Sequence, residues 1–314
     1  MIVLVIRVRS EASTITSDEH ELQIMKNFDY LEPKTVAEAC ALLKQHGGEA
    51  KVFAGGAHLT ILMKQGLLEP KVLVNIKKIP ELKGIGYDDA IGLTTGALVT
   101  HRELETSALV HEKFPVLCEA EREVANIRVR NMGTVGGNLA SGEPLTDLAQ
   151  IFIALDGKVK ISGPNGQRTI AVEELFLDFY TTSLAEDEIL TQVVLPPQPP
   201  RSGIDYIRFS SSSVVDKPAA GVAVRVSLNA DATVGTARIV LGCVGATPVR
   251  ARKAEMLLAG KKITPELAQD AGGIASQECS PTGDLRGSEP YKRAIVKTLV
   301  RRAALKAHEC SLQN

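Results

Sequence analysis

Tryptophan is absent from this 314-residue sequence, and aromatic residues make up only 4% of it. Proteins that bind single strands of nucleic acid need aromatic rings on which to stack the bases. The 36 basic residues are balanced by 37 acidic ones, so there is no basic field to attract nucleic acid or an anionic membrane surface. The composition therefore disfavours nucleic-acid binding.

Long apolar runs and paired cysteines are missing too. The longest apolar run, residues 1–6, ends at Arg7, which is too short for a membrane span and lacks the features of a signal peptide. The five cysteines form no CxxC pair, so their spacing reveals no disulfide framework, zinc site or iron–sulfur motif. We therefore expect a soluble, cytoplasmic protein with free thiols, no metal site and no membrane span.

Two common nucleotide-binding signatures are also absent. Gly84 and Gly86 begin a GxG pattern, but Tyr87, Asp88 and Asp89 follow it, so no GxGxxG is completed. The P-loop pattern GxxxxGK[ST] does not occur either. A Rossmann site and a P-loop are both disfavoured, and a diphosphate-bearing cofactor held by another fold remains open.

The chain divides into an extension and three structural units. Residues 1–24 have no regular period and are expected to be a loosely held extension or the product of an upstream start codon. Residues 25–80 read as a small β-α-β-α-β subdomain, and residues 81–200 as an α+β subdomain with mixed or antiparallel strands. A proline-rich linker, residues 196–200, precedes a C-terminal domain over 201–314. The predicted fold class is α+β.

Local signals predict individual elements. Thr35 with Glu38, and Thr100 with Glu103, have capping-box spacing and mark helix starts. The Gly-Pro-Asn-Gly stretch at 163–166 predicts a hairpin. In the C-terminal domain we predict a three-stranded sheet with helices on one face; its strands are 204–209, 221–228 and 234–244, and its helices are 249–258, 265–275 and 288–308.

Two double-glycine turns, Gly55–Gly56 and Gly136–Gly137, are the most informative feature. Each is predicted to follow a β-rich run, and glycine lets a backbone approach a ligand closely and direct its N–H groups towards an anion. We predict that both turns donate N–H groups to a diphosphate. Thr134 and Asn138 add a hydroxyl and an amide, and Asp147 is placed to accept hydrogen bonds from a ribose or ribityl hydroxyl.

Simpler interpretations compete with these roles. His58, taken alone, is more often a loop or core histidine than a ligand, and His101 is interpreted only as the second residue of a helix. Asp147 also suits the N-terminus of a helix, where the helix dipole favours an acidic residue. Arg128 and Arg130 are open to three interpretations: solvated charges, residues that hold the second turn, or contacts to a partner.

A wider set of residues accompanies the two turns: Ala54–Leu59 followed by Lys64; Val74–Ile76 with Ile79–Leu82; and Arg128, Asn131 and Gly133–Asn138 with Pro144 and Asp147. This set resembles the FAD-binding medium subunit of the molybdenum hydroxylases, the xanthine dehydrogenase and aerobic carbon monoxide dehydrogenase family. The resemblance runs from about Met25 to about Cys310 and is less specific in the C-terminal third.

The resemblance implies a fold and a set of cofactor contacts. The fold is a two-subdomain FAD-binding fold of the vanillyl-alcohol-oxidase (PCMH) type, followed by a flavoprotein C-terminal domain. Residues 52–60 would wrap the FAD diphosphate from one side and 134–138 from the other. Asp147 would bind the polyol or ribose, Leu190 and either Val124 or Ala125 would contact flavin or adenine, and Arg208 would lie near the flavin. The implied cofactor-binding residues are Val52, Phe53, Ala54, Gly55, Gly56, Ala57, His58, Leu59, Thr60, Ala125, Thr134, Val135, Gly136, Gly137, Asn138, Asp147, Leu190 and Arg208.

The resemblance also implies an activity and partners. The chain would be the FAD subunit of an oxidoreductase, with no catalytic side chain and no metal of its own. A small [2Fe-2S] subunit would supply electrons from a large subunit that holds the molybdenum cofactor, and FAD would pass them to NAD, a quinone or another acceptor. A dimer of heterotrimers is expected. The alternatives are a stand-alone FAD oxidase or dehydrogenase and a flavin-free scaffold subunit.

The chain departs from the family pattern at a few positions. Ala57 stands where relatives commonly have Thr or Asn, and His58 where they have Thr, Ser or Asp, so one side-chain hydrogen bond to the cofactor is expected to be missing or remade. Residues 211–213 are serines where relatives often carry basic residues. Glu143 replaces the usual Asp, which is a mild change.

Overall fold

A computed structural model of the chain describes residues 6–7, 25–210, 213 and 217–313. The predicted N-terminal extension, residues 1–24, lies outside the described residues except for 6–7. Among the helices described, none is long and apolar enough to cross a membrane.

The first sheet has four strands in the order β1-β2-β4-β3, with a parallel core of β2, β4 and β3. The predicted helix start is confirmed, because the Thr35 side chain accepts a hydrogen bond from the backbone N–H of Glu38 at 3.1 Å. The alternation of strand and helix also matches the sequence pattern. The elements are β1 (Ile6–Arg7), β2 (Asp29–Leu31), α1 (Val36–His46), β3 (Ala50–Phe53), α2 (Leu59–Lys64) and β4 (Val72–Asn75).

The second sheet has five antiparallel strands in the order β5-β6-β11-β7-β8. The predicted hairpin is confirmed by the pairing of Gly163 with Gly166. A layer of short helices covers this sheet, and the Thr100–Glu103 capping box begins the first of them. The elements are β5 (Ile85–Asp88), β6 (Gly92–Gly96), α3 (His101–Thr106), α4 (Ala108–Lys113), α5 (Pro115–Glu123), α6 (Ile127–Met132), α7 (Val135–Ala140), α8 (Leu148–Ala154), β7 (Lys158–Gly163), β8 (Gly166–Ala171), β9 (Phe176–Asp178), β10 (Thr181–Thr182) and β11 (Ile189–Leu195).

The C-terminal part has an antiparallel sheet in the order β12-β13-β14-β15, covered by three helices. Its strands are β12 (Ser202–Phe209), β13 (Ala220–Leu228), β14 (Val234–Gly242) and β15 (Val249–Arg250), and its helices are α9 (Arg252–Leu258), α10 (Pro265–Glu278) and α11 (Glu289–Gln313).

The fourth strand of this sheet corrects the predicted three-stranded sheet. Residues 249–250 were expected to begin a helix, but they pair with Val240 and Leu241 at the edge of the sheet. The Arg250 guanidinium then folds back onto the Glu255 carboxylate at 2.8 Å. A β-branched valine suits an edge strand, so the helix begins only at Arg252.

Helix α8 joins the C-terminal sheet to the rest of the chain. It is buried throughout, and one hydrophobic core contains its residues together with Ala223 and Val240 of the C-terminal sheet. The Gln150 side chain fills a notch that exists because Gly221 and Gly242, paired across β13 and β14, have no side chains. At the end of the helix, Asp156 bonds to Arg225 at 2.5 Å and to Arg238 at 2.7 Å.

Candidate cofactor-binding site

The two double-glycine segments, far apart in sequence, touch each other in the structure. A Cβ atom on Gly55 would lie 2.0 Å from the Met132 carbonyl oxygen and 3.0 Å from the Gly133 Cα. No side chain tolerates such distances from a backbone, so only glycine allows this approach. We call residues 54–59 the first turn and residues 133–138 the second turn.

The first turn presents a row of free backbone donors. The N–H groups of residues 54–59 form no hydrogen bond with any described residue, whereas the next N–H, that of Thr60, donates to the Gly56 carbonyl at 3.1 Å. Gly56 has φ +77, which favours glycine. Only Gly55 in this turn is fully buried. Successive accessible N–H groups after a strand end form a concave anion site.

Side chains around the first turn fix its shape. The Phe53 ring lies under Gly56, where a Cβ would be 2.7 Å from two ring atoms, and Lys77 places its Nζ 4.4 Å from the centroid of that ring. Thr60 donates its hydroxyl to the Gly56 carbonyl at 2.7 Å. Val52 is half-buried in β3. These contacts leave the N–H groups of the turn uncovered.

Most N–H groups of the second turn already donate to other parts of the protein. The N–H groups of Val135 and Gly136 donate to the carbonyl oxygens of Val99 and Ala97, each at 2.9 Å. Gly137 donates to Thr134 Oγ1 at 3.1 Å, and Asn138 donates to the Thr134 carbonyl at 2.8 Å. The N–H of Thr134 has no hydrogen-bond partner among the described residues, so the prediction that this turn donates N–H groups to a ligand stays a prediction that depends on this group.

The surroundings of the second turn also differ from the prediction. The turn follows α6 and runs into α7, with Gly136 and Gly137 inside that helix, and so does not follow a β-rich run. The Thr134 side chain caps α7. Since the helix is only 6 residues long, its hydrophobic period is too short to be read from sequence.

Other predicted contacts lie around the second turn. Asn138 has a buried side-chain oxygen with no hydrogen-bond partner among the described residues. Leu190, 4% exposed, precedes Thr191, whose carbonyl accepts the N–H of Ala97 next to Gly136. Ala125 links α5 to α6 with φ +44, a conformation uncommon for any residue except glycine.

Asp147 and Arg208, both predicted to touch the cofactor, are bonded to each other. Arg208 Nε lies 3.1 Å from Asp147 Oδ1, and the two side chains are only 3% and 6% exposed. Tyr206 donates its hydroxyl to the same oxygen at 2.6 Å. Burial raises the pKa of Asp147 although Arg208 opposes this shift. Asp147 and Arg208 therefore form a buried ion pair.

A second buried pair was missed by sequence reasoning. His101 Nδ1 lies 2.8 Å from Glu121 Oε2, and the two side chains are 4% and 0% exposed. Burial lowers the pKa of His101, but the Glu121 carboxylate outweighs this and raises it overall. The signal in the sequence was Glu121 itself, which lies four residues after Leu117 on the apolar face of α5.

His58, in the first turn, faces a polar cluster from the other two parts of the chain. Its ring stacks on that of Tyr180 with centroids 6.1 Å apart. The Tyr180 hydroxyl donates to the Glu143 carboxylate at 3.3 Å, and Lys217 Nζ lies 2.5 Å from the same carboxylate. Burial lowers the pKa of His58.

These features fit a cofactor that contains a diphosphate. The first turn has N–H groups without a described partner, and its glycine allows close contact with the backbone of the second turn. The Asn138 side-chain oxygen also has no hydrogen-bond partner among the described residues. Among the described residues, no three metal-ligating side chains come together. The arrangement is suited to binding a group that brings its own chemistry.

Comparison with known families identifies that group. Residues 26–198 match the family described as the FAD binding domain in molybdopterin dehydrogenase, and residues 206–307 match the carbon monoxide dehydrogenase flavoprotein C-terminal domain. The chain belongs to this family of FAD-binding subunits. The predicted family, the FAD cofactor on this chain and the oxidoreductase class are confirmed.

Characterised relatives cover nearly the whole chain. The carbon monoxide dehydrogenase medium chain of Hydrogenophaga pseudoflava is 37% identical over 280 residues, which are 89% of this chain and 96% of the relative. The nicotine 6-hydroxylase medium subunit of Paenarthrobacter nicotinovorans is 33% identical over 280 residues, 88% of this chain and 96% of the relative.

Solved structures agree with these relatives. Carbon monoxide dehydrogenase from Hydrogenophaga pseudoflava matches with a TM-score of 0.87 and 37% identity over 90% of this chain and 98% of that chain. Quinoline 2-oxidoreductase from Pseudomonas putida 86 matches with a TM-score of 0.86 and 27% identity over 92% and 99%. The predicted FAD-binding fold is therefore confirmed.

Proposed function

We propose that this chain is the FAD-binding electron-transfer subunit of a multi-subunit molybdenum hydroxylase. It receives electrons from a small [2Fe-2S] subunit and delivers them from FAD to NAD, a quinone or another acceptor. The bound FAD supplies the redox chemistry, accepting and passing on electrons. No side chain of this chain is assigned an acid, base or nucleophilic role.

The contact between the two turns is the observation that carries this proposal. Gly55 meets the backbone at Met132 and Gly133, so the two turns touch, and the N–H groups of the first turn have no described partner. A diphosphate needs donors that converge without bulky side chains in the way. The relatives named above are medium chains of carbon monoxide dehydrogenase and nicotine 6-hydroxylase.

The residues divide into donors, walls and supports in this proposal. The first turn donates backbone N–H groups to the diphosphate, and the second turn forms the opposite wall with the Asn138 side chain as its polar contact. Leu190 and Ala125 contribute apolar surface. Asp147 and Arg208 are proposed to contact the polyol or the edge of the flavin while they remain paired with each other. The full set remains the one named from the sequence, residues 52–60, 125, 134–138, 147, 190 and 208.

The assembly and the limits of the units belong to the same proposal. We propose a large molybdenum-cofactor subunit and a small [2Fe-2S] subunit as partners, arranged as a dimer of heterotrimers in the cytoplasm. All five cysteines are free thiols, as a reducing compartment favours. We also propose an FAD-binding domain over 25–200, divided near residue 80, and a C-terminal domain over 201–314.

The experiment is to purify the chain with its natural partners, identify the subunits by mass and analyse the released cofactor. We expect flavin absorption, FAD after denaturation, a [2Fe-2S] chain and a large molybdenum chain. Rapid mixing with substrate should bleach the iron–sulfur and flavin bands together, and the flavin should recolour when the correct acceptor is added.

Two outcomes would overturn the proposal. FAD on a chain that travels alone and is reduced directly by a small substrate would indicate a stand-alone flavin enzyme. A colourless chain that takes up no FAD would indicate a scaffold subunit.

As a matched control, Gly273→Ala should load FAD normally, since a Cβ at Gly273 meets no atom within 4 Å.

A further inference from the structure

We propose that His101 and Glu121 form a positioning pair that holds the second turn in its FAD-binding shape and places a positive charge beneath it. This inference rests on the proposed binding of FAD between the two turns. It assigns a role to two buried residues that the proposed function does not use. It also predicts that FAD affinity depends on pH through a residue that need not touch the cofactor.

The first step is steric. The His101 ring lies directly against Gly133, because a Cβ on Gly133 would be 2.9 Å from His101 Cδ2 and 3.3 Å from Nε2. Gly133 in turn lies against Gly55 of the first turn. The imidazole is therefore one residue away from the contact between the two turns, and its orientation sets how closely they approach.

The second step concerns the backbone. His101 donates its own N–H to the Gly133 carbonyl at 3.1 Å, and Thr100 forms a β-bridge with Thr134. The segment 97–101 also accepts the N–H groups of Val135 and Gly136. This segment is thus a template for the second turn, and His101 locks one end of it through the bond between its ring and Glu121.

The third step is electrostatic. Glu121 on α5 faces the His101 ring through both carboxylate oxygens, at 2.8 and 3.1 Å. The remaining charged groups that act on the ring are Asp147, before α8, which favours its protonation, and Arg130, on α6, which opposes it. Glu105, on the same helix as His101, raises the pKa of Glu121 through its negative charge. The carboxylates raise the pKa of His101 overall and so favour the protonated imidazole, while burial raises the pKa of Glu121 as well.

The free ring nitrogen completes the picture. Nε2 of His101 makes no hydrogen bond with any described residue, although the side chain is only 4% exposed. Once Nδ1 is bonded to Glu121, Nε2 carries the proton that titrates. The charge therefore appears on the side of the ring that lies against Gly133, where it attracts the diphosphate through the thin glycine backbone.

The experiment measures FAD affinity against pH for the full-length chain stripped of cofactor, using quenching of flavin fluorescence. In the wild type we expect affinity about fivefold weaker above the His101 pKa than below it, as a single screened charge predicts. His101→Gln should remove the step. Glu121→Gln keeps a hydrogen-bond acceptor but removes the charge, so the step should move to lower pH. His111→Gln, on the exposed face of α4, is the matched control and should keep the wild-type step.

Thermal unfolding of the cofactor-free variants separates positioning from stability, and proton NMR of the imidazole follows its titration. A merely structural role would lower the unfolding temperature and leave the pH step in place, which would overturn the inference. FAD binding by the wild type without a step would also overturn it, whatever the variants do. Failure of the wild type to bind FAD at any pH would overturn the proposed function together with it.

Discussion

The two glycine turns look alike in sequence but differ in how their backbones are used. The first turn keeps six successive N–H groups, those of residues 54–59, free of any described partner. The second turn directs its N–H groups into the segment 97–101 and into Thr134. The first is a donor surface, and the second is a wall fixed by the protein itself.

The difference teaches what a glycine pair does in each place. In the first turn, Gly55 allows contact with the Met132–Gly133 backbone and Gly56 adopts a positive φ, while the N–H groups of the turn keep no described partner. In the second, glycine allows the protein backbone to approach itself, because a Cβ on Gly136 would lie 2.5 Å from the Ala97 Cβ. The His101 ring lies against Gly133 of the second turn, and the ionic layer comprises the His101–Glu121 and Asp147–Arg208 pairs. The predictions below test this division.

Hydrogen exchange should separate the two turns most clearly. With FAD at roughly 1,000 times its dissociation constant, we expect exchange at residues 54–59 to slow by up to about 1,000-fold. Residues 135–138 should already be protected in the cofactor-free chain and should change much less. Mass spectrometry of peptides from both turns provides the measurement. Equal gains at the two turns would break the comparison.

The ionic layer under the second turn should matter for folding. Asp147→Asn removes the buried carboxylate that bonds to both Arg208 and Tyr206, and we expect the free energy of unfolding to fall by about 3 kcal/mol. Urea denaturation of the cofactor-free chain measures this change. Asp89→Asn, at an exposed position, is the matched control. If both variants are equally stable, the layer does not support the turn.

The contact between the turns should matter for FAD. Gly55→Ala forces the turns apart, and overpacking of this kind should weaken FAD affinity by about 30-fold, or about 2 kcal/mol. Fluorescence titration of the full-length chain measures the change, and Gly273→Ala serves as control because its Cβ enters open space. Affinity unchanged from the wild type would mean that the turns need not touch.

His58 of the first turn and His101 of α3, which lies against the second turn, should respond to pH in opposite directions. His58 has a lowered pKa, so its contribution to stability is present above the unfolded value of 6.5 and is lost as the pH falls below it. His101 has a raised pKa, so its contribution is present below 6.5 and is lost as the pH rises through the folded value.

Both contributions can be measured, because each changes the free energy of unfolding on one side of pH 6.5. Unfolding of the cofactor-free chain at several pH values measures them. His58→Gln should flatten the acid side of the stability profile, and His101→Gln the alkaline side. If both variants flatten the same side, the two histidines do not have opposite environments.

Much of the fold could be predicted because local signals and long-range structure agree. The capping residues Thr35 and Thr100 begin helices as expected, and the glycines at 163 and 166 close a hairpin. These features depend on a few neighbouring residues. The edge strand at 249–250 could not be predicted, because its structure comes from pairing with β14 rather than from its own sequence.

The site could be predicted in outline but not in detail. The glycine motifs marked both turns, yet the fate of each N–H depends on the segment 97–101, which no local pattern connects to residue 136. The His101–Glu121 bond spans 20 positions and three-dimensional packing creates it. Sequence motifs therefore locate the glycine turns, whereas the partner of each backbone N–H group is decided by the tertiary structure.

The central position of β11 has a consequence for biosynthesis. This strand lies between β6 and β7. Its residue Leu195 pairs with Leu93 of β6, although most of the sequence of the second sheet separates these two residues. The ribosome must therefore release residue 195 before β6, which already pairs with β5, gains its second neighbour, and until then one edge of β6 is open. Strand pairing at such separation is slow and leaves edges prone to aggregation. We expect chains truncated before residue 189 to aggregate and to depend on chaperones.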